Sequence, residues 1–158
     1  MRTRLASFPR PRMAASHELH PGRIRLFLDS SVLLAAAGSS TGASRRLFLE
    51  APQRGWQLET AHYAYEETLY NLPKLGPSAE AVFHTHLAPS LRILPTTIVV
   101  SPPLVHPVSK DRPILATALA SRPTALLTLD RADFQDRLGP TLYGLPLLTP
   151  GDWLQNHL

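Results

Sequence analysis

From residue 24 onward, short apolar runs alternate with stretches of helical periodicity. Arg23-Ile-Arg-Leu-Phe-Leu28 alternates polar and apolar, becomes wholly apolar and stops at Asp29, the pattern of a buried strand. Ser30 and Ser31 then offer N-cap hydroxyls to a helix over Val32–Ala37, which Gly38 to Gly42 breaks before Ala43–Leu49 resumes it. Trp56–Glu59 reads as a short strand. Ala61–Leu72 is the clearest amphipathic helix, with Ala61, Tyr65, Thr68, Leu69 and Leu72 on one stripe, ended by Pro73, Gly76 and Pro77. Ser78–Leu87 follows as a helix capped by Ser78, and Leu91–Leu94 as a strand. Four prolines between Pro95 and Pro107 exclude a helix and predict a loop. A helix opening at Ser109 or Asp111 runs through Ala120, and Ala125–Leu129 is an apolar strand stopping at Asp130. Ala132–Leu138 is a short helix, Leu145–Leu148 a last strand, and Pro150–His157 a terminal helical turn or two.

Strands separated by helices require parallel pairing, because parallel neighbours need long crossovers, so the expected class is α/β with a central parallel sheet. In such sheets chemistry collects beyond the carboxyl ends of the strands. A chain of 158 residues fits one domain and buries enough surface to fold without staples. The absence of cysteine excludes thiol catalysis, zinc-thiolate sites and disulfides, and permits a reducing, cytoplasmic home. No apolar run reaches the roughly 18–20 residues of a membrane helix, so no membrane partner is expected.

The net charge of +4 is unevenly placed. Residues 1–25 hold six arginines against Glu18, a net of +5, and the other 133 residues carry ten basic and eleven acidic groups, a net of −1. The basicity therefore belongs to an extension over residues 1–23, which with Pro9, Pro11, Pro21 and Gly22 and no sustained periodicity is expected to be disordered.

Four acids stand out by position. Asp29 and Asp130 end two buried strands and so leave the same rim of the sheet. Glu67 lies inside an otherwise apolar helix, beside Glu66, and Asp111 opens a helix whose Leu115 and Ala118 continue its stripe. Each has a structural explanation: a strand end or helix cap for Asp29, an N-cap before Pro113 for Asp111, solvated helix charges for Glu66 and Glu67, turn acids for Asp130 and Asp133. Together they repel one another and require a compensating cation. Oxygen donors without Cys or His suit Mg²⁺ or Mn²⁺, ions that clamp phosphates and make a bound water nucleophilic at neutral pH. That chemistry is phosphodiester hydrolysis.

Four segments carry a resemblance: Leu26-Phe-Leu-Asp-Ser-Ser-Val-Leu-Leu34, Glu66-Glu-Thr-Leu-Tyr-Asn-Leu72, Lys110-Asp-Arg-Pro-Ile-Leu-Ala-Thr-Ala-Leu119 and Leu127-Thr-Leu-Asp-Arg-Ala-Asp-Phe134. In this order and spacing the chain resembles the PIN-domain nucleases over residues 24–150, and among them the toxin ribonucleases of toxin–antitoxin pairs. The resemblance implies a three-layer α/β/α fold over residues 24–158 and a Mg²⁺- or Mn²⁺-dependent endoribonuclease. It implies Asp29, Glu67, Asp111 and Asp130 as catalytic metal ligands, with Asp133 as a further ligand. Glu67 is preferred to Glu66 because Asn71-Leu72 follows it at the family's offset. Ser31 and Thr128 match supporting polar positions, although Ser31 replaces the more usual Asn. The implied partners are an RNA substrate, a cognate antitoxin and a second copy of the chain.

The cations available to hold RNA are Arg45, Arg46, Lys110, Arg112 and Arg131, beside the extension. His84 and His86 project to different faces of a helix and read as surface. Trp56, Trp153, Tyr63, Tyr65 and Tyr70 read as packing residues rather than base-stacking ones. Two other readings compete. One is a catalytically silent module of the same fold that binds RNA or protein, which loss of an acidic position would mark. The other is a haloacid-dehalogenase-like phosphatase, whose Asp-x-Asp is interrupted here by Ser31.

Overall fold

A computed structural model describes residues 22–97, 112–130 and 141–158. Asp111, Asp133, Lys110, Arg131, the helix expected over Ala132–Leu138, the loop from residue 98 and the extension through residue 21 lie outside the described residues. The described strands are β1 (Arg25–Leu28), β2 (Gln57–Ala61), β3 (Leu91–Leu94), β4 (Ala125–Leu127), β5 (Thr141–Leu142) and β6 (Leu145–Leu148). They form one sheet in the order β3-β2-β1-β4-β6-β5. All pairings are parallel except the β5–β6 hairpin at the edge.

Helices α1 (Ser30–Gly38), α2 (Ala43–Arg54), α3 (His62–Asn71), α4 (Pro77–Val82), α5 (Arg112–Ser121) and α6 (Pro150–His157) flank the sheet. Side chains of β1 alternate between two cores. Leu26 and Leu28 pack with α1, α2, α6 and Tyr65 of α3, whereas Phe27 packs with Ile114, Leu115 and Ala118 of α5. Both faces of the sheet are therefore covered, as parallel strands require. The result is the three-layer α/β/α architecture.

Local differences from the sequence reading have local causes. The first helix begins two residues early: Asp29, not Ser30 or Ser31, occupies the N-cap, with φ −73° and ψ 158°. Helix α2 runs on through Pro52 to Arg54, where Gly55 closes it in the left-handed region at φ +69°. The helix expected over Ser78–Leu87 is α4 followed by a π turn at Phe83–Leu87. Strand β5 was not expected. It returns through Tyr143 (φ +49°) and Gly144 (φ +82°), a two-residue turn whose left-handed residues match the twist of a hairpin. Helix α6 is set by a reciprocal cap, in which Asp152 donates its backbone N–H to Thr149 Oγ1 at 3.1 Å and accepts from Thr149 N at 3.4 Å.

A second surprise lies inside the sheet. Glu59, expected at a strand end, has no solvent exposure. Its Oε1 is 3.3 Å from Arg25 Nη1 and accepts from Ser121 Oγ at 3.4 Å, and its Oε2 is 3.8 Å from Arg92 Nη1. Arg25 also donates to the carbonyls of Ser121 and Arg122, each at 2.6 Å. Arg25 is thus a core ion of the fold rather than part of a basic arm. Arg23, also counted with the extension, donates to Gly55 O at 3.1 Å.

Candidate active site

Strand β1 delivers Asp29 to the carboxyl rim, where its backbone N–H continues the sheet by donating to Leu127 O at 3.1 Å. Its backbone carbonyl begins α1, accepting from Val32 and Leu33 at 3.1 and 3.3 Å. The side chain makes no cap bond. It turns sideways instead. Oδ2 accepts from Ser31 Oγ at 2.9 Å and from Thr128 Oγ1 at 2.8 Å, and Oδ1 faces Ser30 Oγ at 3.3 Å.

The two hydroxyls on Oδ2 also accept. Ser31 Oγ accepts the backbone N–H of Leu129, and Thr128 Oγ1 accepts that of Asp130, each at 3.0 Å. Each hydroxyl spends its proton on Asp29 and its lone pair on the following loop. The segment after β4, ending in Asp130, is therefore fastened to the Asp29 carboxylate.

Ser30 has a harder task. Its Oγ lies 3.3 Å from Asp29 Oδ1 and 3.1 Å from Glu67 Oε2. One hydroxyl proton thus faces two carboxylates and can be given to only one of them at a time. Burial pushes the Asp29 carboxyl up from its ordinary value, against the opposing pull of the Thr128, Ser31 and Ser30 hydroxyls and the Ser30 backbone N–H.

Of the two adjacent glutamates on α3, Glu67 is half-buried toward Ser30, and Glu66 points outward to His62 Nε2 at 3.4 Å. Asn71, the last residue of α3 and the N-cap of a 3-10 turn over Leu72–Leu75, donates to Glu67 O at 2.9 Å. The structure brings Asp29, Glu67, Ser31 and Thr128 into one network and attaches Asp130 through its backbone. Asp111 and Asp133 lie outside the described residues. Among the described residues no three Asp, Glu or His side chains are grouped closely enough to share a metal ion.

The basic residues divide. Arg45 donates to Ala36 O and to Ala37 O, the latter at 3.2 Å, and so closes the carbonyl end of α1. Arg46 is exposed, 3.5 Å from Glu50. Arg112 is exposed at the start of α5. Trp56 and Trp153 are buried against each other with ring centroids 5.6 Å apart, and Tyr65 is buried on Phe83, which settles all three as packing residues. His84 lies edge-on to Phe83, and His86 is exposed. Ser30 was read from the sequence as a cap. Its position directly after a strand-end Asp was the available signal that it would stand between carboxylates.

Among the described residues no helix is long and apolar enough to cross a membrane. No protein-family model and no curated protein matches the chain. Among solved structures, the chain has a distant likeness to the Mycobacterium tuberculosis toxin VapC20, described as cleaving the sarcin–ricin loop, at 16% identity and a TM-score of 0.46. That likeness covers 67% of this chain and 90% of the toxin's.

Proposed function

We propose that this chain is a metal-dependent endoribonuclease that hydrolyses RNA phosphodiester bonds at the carboxyl rim of its sheet. The observation that carries the reading is the pair of carboxylates, Asp29 and Glu67, converging on the single hydroxyl of Ser30. Among the described residues no cation pairs with either carboxylate. The donors of this arrangement are all oxygens, one of them on a desolvated carboxyl, and that set fits a hard divalent cation such as Mg²⁺ or Mn²⁺. Asp29 and Glu67 would hold the ion, with Asp130 from the fastened loop and Asp111 and Asp133 completing the set that the sequence pattern supplies. Once bound, such an ion offsets phosphate charge and makes water nucleophilic at neutral pH.

The chain's own contribution is positioning. Thr128 and Ser31 fix Asp29 Oδ2 and so orient the whole carboxylate, leaving Oδ1 and Glu67 Oε2 turned toward Ser30. The same two hydroxyls hold the backbone leading to Asp130. Hydrolysis forms a bond from the water oxygen to phosphorus and breaks the bond to the leaving ribose oxygen, which takes a proton. In this reading the protein acts as the toxin of a toxin–antitoxin pair in the cytoplasm, as a homodimer whose antitoxin covers the rim.

Titration of Mn²⁺ and Mg²⁺ against a mixed RNA panel tests the reading, with Asp29→Asn and Asp111→Asn as controls. Metal-dependent cutting that both variants lose is the expected result. Failure of the wild-type protein to bind either metal at millimolar concentration refutes it.

A further inference from the structure

Helix α3 carries a second feature beside Glu67. With 3.6 residues per turn, Tyr63, Glu67 and Tyr70 fall within about 60° of one another on one stripe of the helix. Tyr63 is 38% and Tyr70 78% exposed, while Tyr65, on the opposite side, is buried. The stripe ends at Lys74, whose Nζ lies 5.4 Å over the Tyr70 ring and donates to Asn71 Oδ1 at 2.8 Å. Asn71 in turn donates to Glu67 O at 2.9 Å. Thr96 Oγ1 accepts the Tyr63 backbone N–H at 3.0 Å, which ties the start of the stripe to the end of β3.

Two exposed aromatic rings thus stand on a sheet-anchored helix. They do not form an apolar patch, because a carboxylate stands between them and an ammonium caps the far end. A second copy of the chain would meet this alternation poorly. An unpaired nucleic acid strand meets it well: its bases stack on aromatic faces whatever their sequence, and its phosphates take the lysine. The tyrosines stand roughly 10 Å apart along the axis, two turns, with the candidate metal ligand between them.

We propose that Tyr63, Tyr70 and Lys74 form a platform for unpaired RNA, stacking bases on either side of Glu67 and so presenting the intervening backbone to the rim. The platform rests on the ribonuclease reading for its substrate, and its test reads binding separately from cleavage. Fluorescence anisotropy in EDTA compares a labelled oligoadenylate with an abasic ribose-phosphate oligomer of equal length. Tyr63→Ala and Tyr70→Ala should each weaken oligoadenylate binding about tenfold and leave both the abasic affinity and the salt slope unchanged. Tyr70→Phe should bind as the wild type does. Lys74→Gln should weaken both oligomers and reduce the salt slope by about 0.7.

The proposal is overturned if the wild-type protein holds neither oligomer, if it holds both equally, or if the alanine variants change oligomeric state by light scattering while RNA affinity stays constant. Base-dependent binding without cleavage in Mn²⁺ or Mg²⁺ would retain the platform and remove the nuclease. Metal-dependent cleavage with no effect of either alanine would do the reverse.

Discussion

Replacing Asp29 by Asn should make the metal-free protein more stable at neutral pH while abolishing cleavage. Asp29 is 3% exposed, and its carboxylate shares one hydroxyl proton with Glu67. An asparagine of the same shape keeps a carbonyl oxygen where Oδ2 accepts from Ser31 and Thr128. Its amide then donates to Ser30 Oγ, freeing that hydroxyl to donate to Glu67 alone. A buried charge is removed and one hydrogen bond is added to a chain that was one proton short. One net hydrogen bond is worth about 1 kcal/mol, and relief of the repulsion brings the gain to about 1–2 kcal/mol. For a chain of this length that raises Tm by about 3–6 °C.

The pH dependence has a definite sign. Burial holds the folded Asp29 carboxyl above its ordinary value of 3.8, so the folded state takes up this proton more readily than the unfolded one. Wild-type protein therefore carries the cost of the charge in full above the folded value. It sheds the cost as pH falls through that value, and is free of it below 3.8. The advantage of Asp29→Asn should accordingly be largest at neutral pH and vanish in acid. Thermal melts by circular dichroism in EDTA across this range measure it. Adding Mn²⁺ should reverse the order, because a bound ion at a hundredfold excess over its Kd stabilises the wild type by about 2.7 kcal/mol and leaves the variant unmoved. A variant less stable than wild type at pH 7 in EDTA, or a difference independent of pH, would refute the account of Ser30 as an overdrawn donor.

The two adjacent glutamates should separate cleanly. Glu67→Gln should abolish cleavage with no loss of fold by circular dichroism, and Glu66→Gln, which loses an exposed pairing to His62, should keep both activity and stability within about 0.5 kcal/mol. Glu59→Ala leaves the half-buried Arg25 beside Arg92 without the carboxylate between them and should cost about 3 kcal/mol in urea denaturation. Arg45→Gln should lower stability by about 1 kcal/mol through the lost closure of α1, and should leave the salt dependence of RNA binding unchanged.

What the sequence revealed and what it hid follow from the range of the interactions involved. Leu91–Leu94 and Leu145–Leu148 were legible as β3 and β6 because a strand buried on both faces is a short apolar run between breakers, and that signal is local. The end of β1 at Asp29 was legible for the same reason, whereas β4 stops at Leu127, two residues short of the strand expected over Ala125–Leu129. The helix expected over Ala43–Leu49 runs five residues further, because Pro52 sits in the last turn of α2, close enough to the end for Gly55 to close the helix. Glu59 was hidden because its partner Arg25 is 34 positions away and charge alone suggested an outer position. The usable signal was one of topology. Gln57–Ala61 had to be an inner strand between two parallel neighbours, so both its faces had to be covered, and a carboxylate there requires cations at flanking registers, where Arg25 and Arg92 stand.

The same reasoning explains why the two buried acids ended in opposite conditions. Glu59 lies toward the amino end of the sheet between two guanidinium groups, both held by the fold itself. Asp29, at the carboxyl end, is surrounded by hydroxyls that donate one proton each and bring no charge. Glu59 shows that this fold can set a buried carboxylate between guanidinium groups. Among the described residues the side-chain donors at Asp29 are neutral, so they orient the carboxylate without bringing it a compensating charge. Orientation without neutralisation is of no benefit to stability, and it is what a carboxylate needs in order to receive a cation from solution.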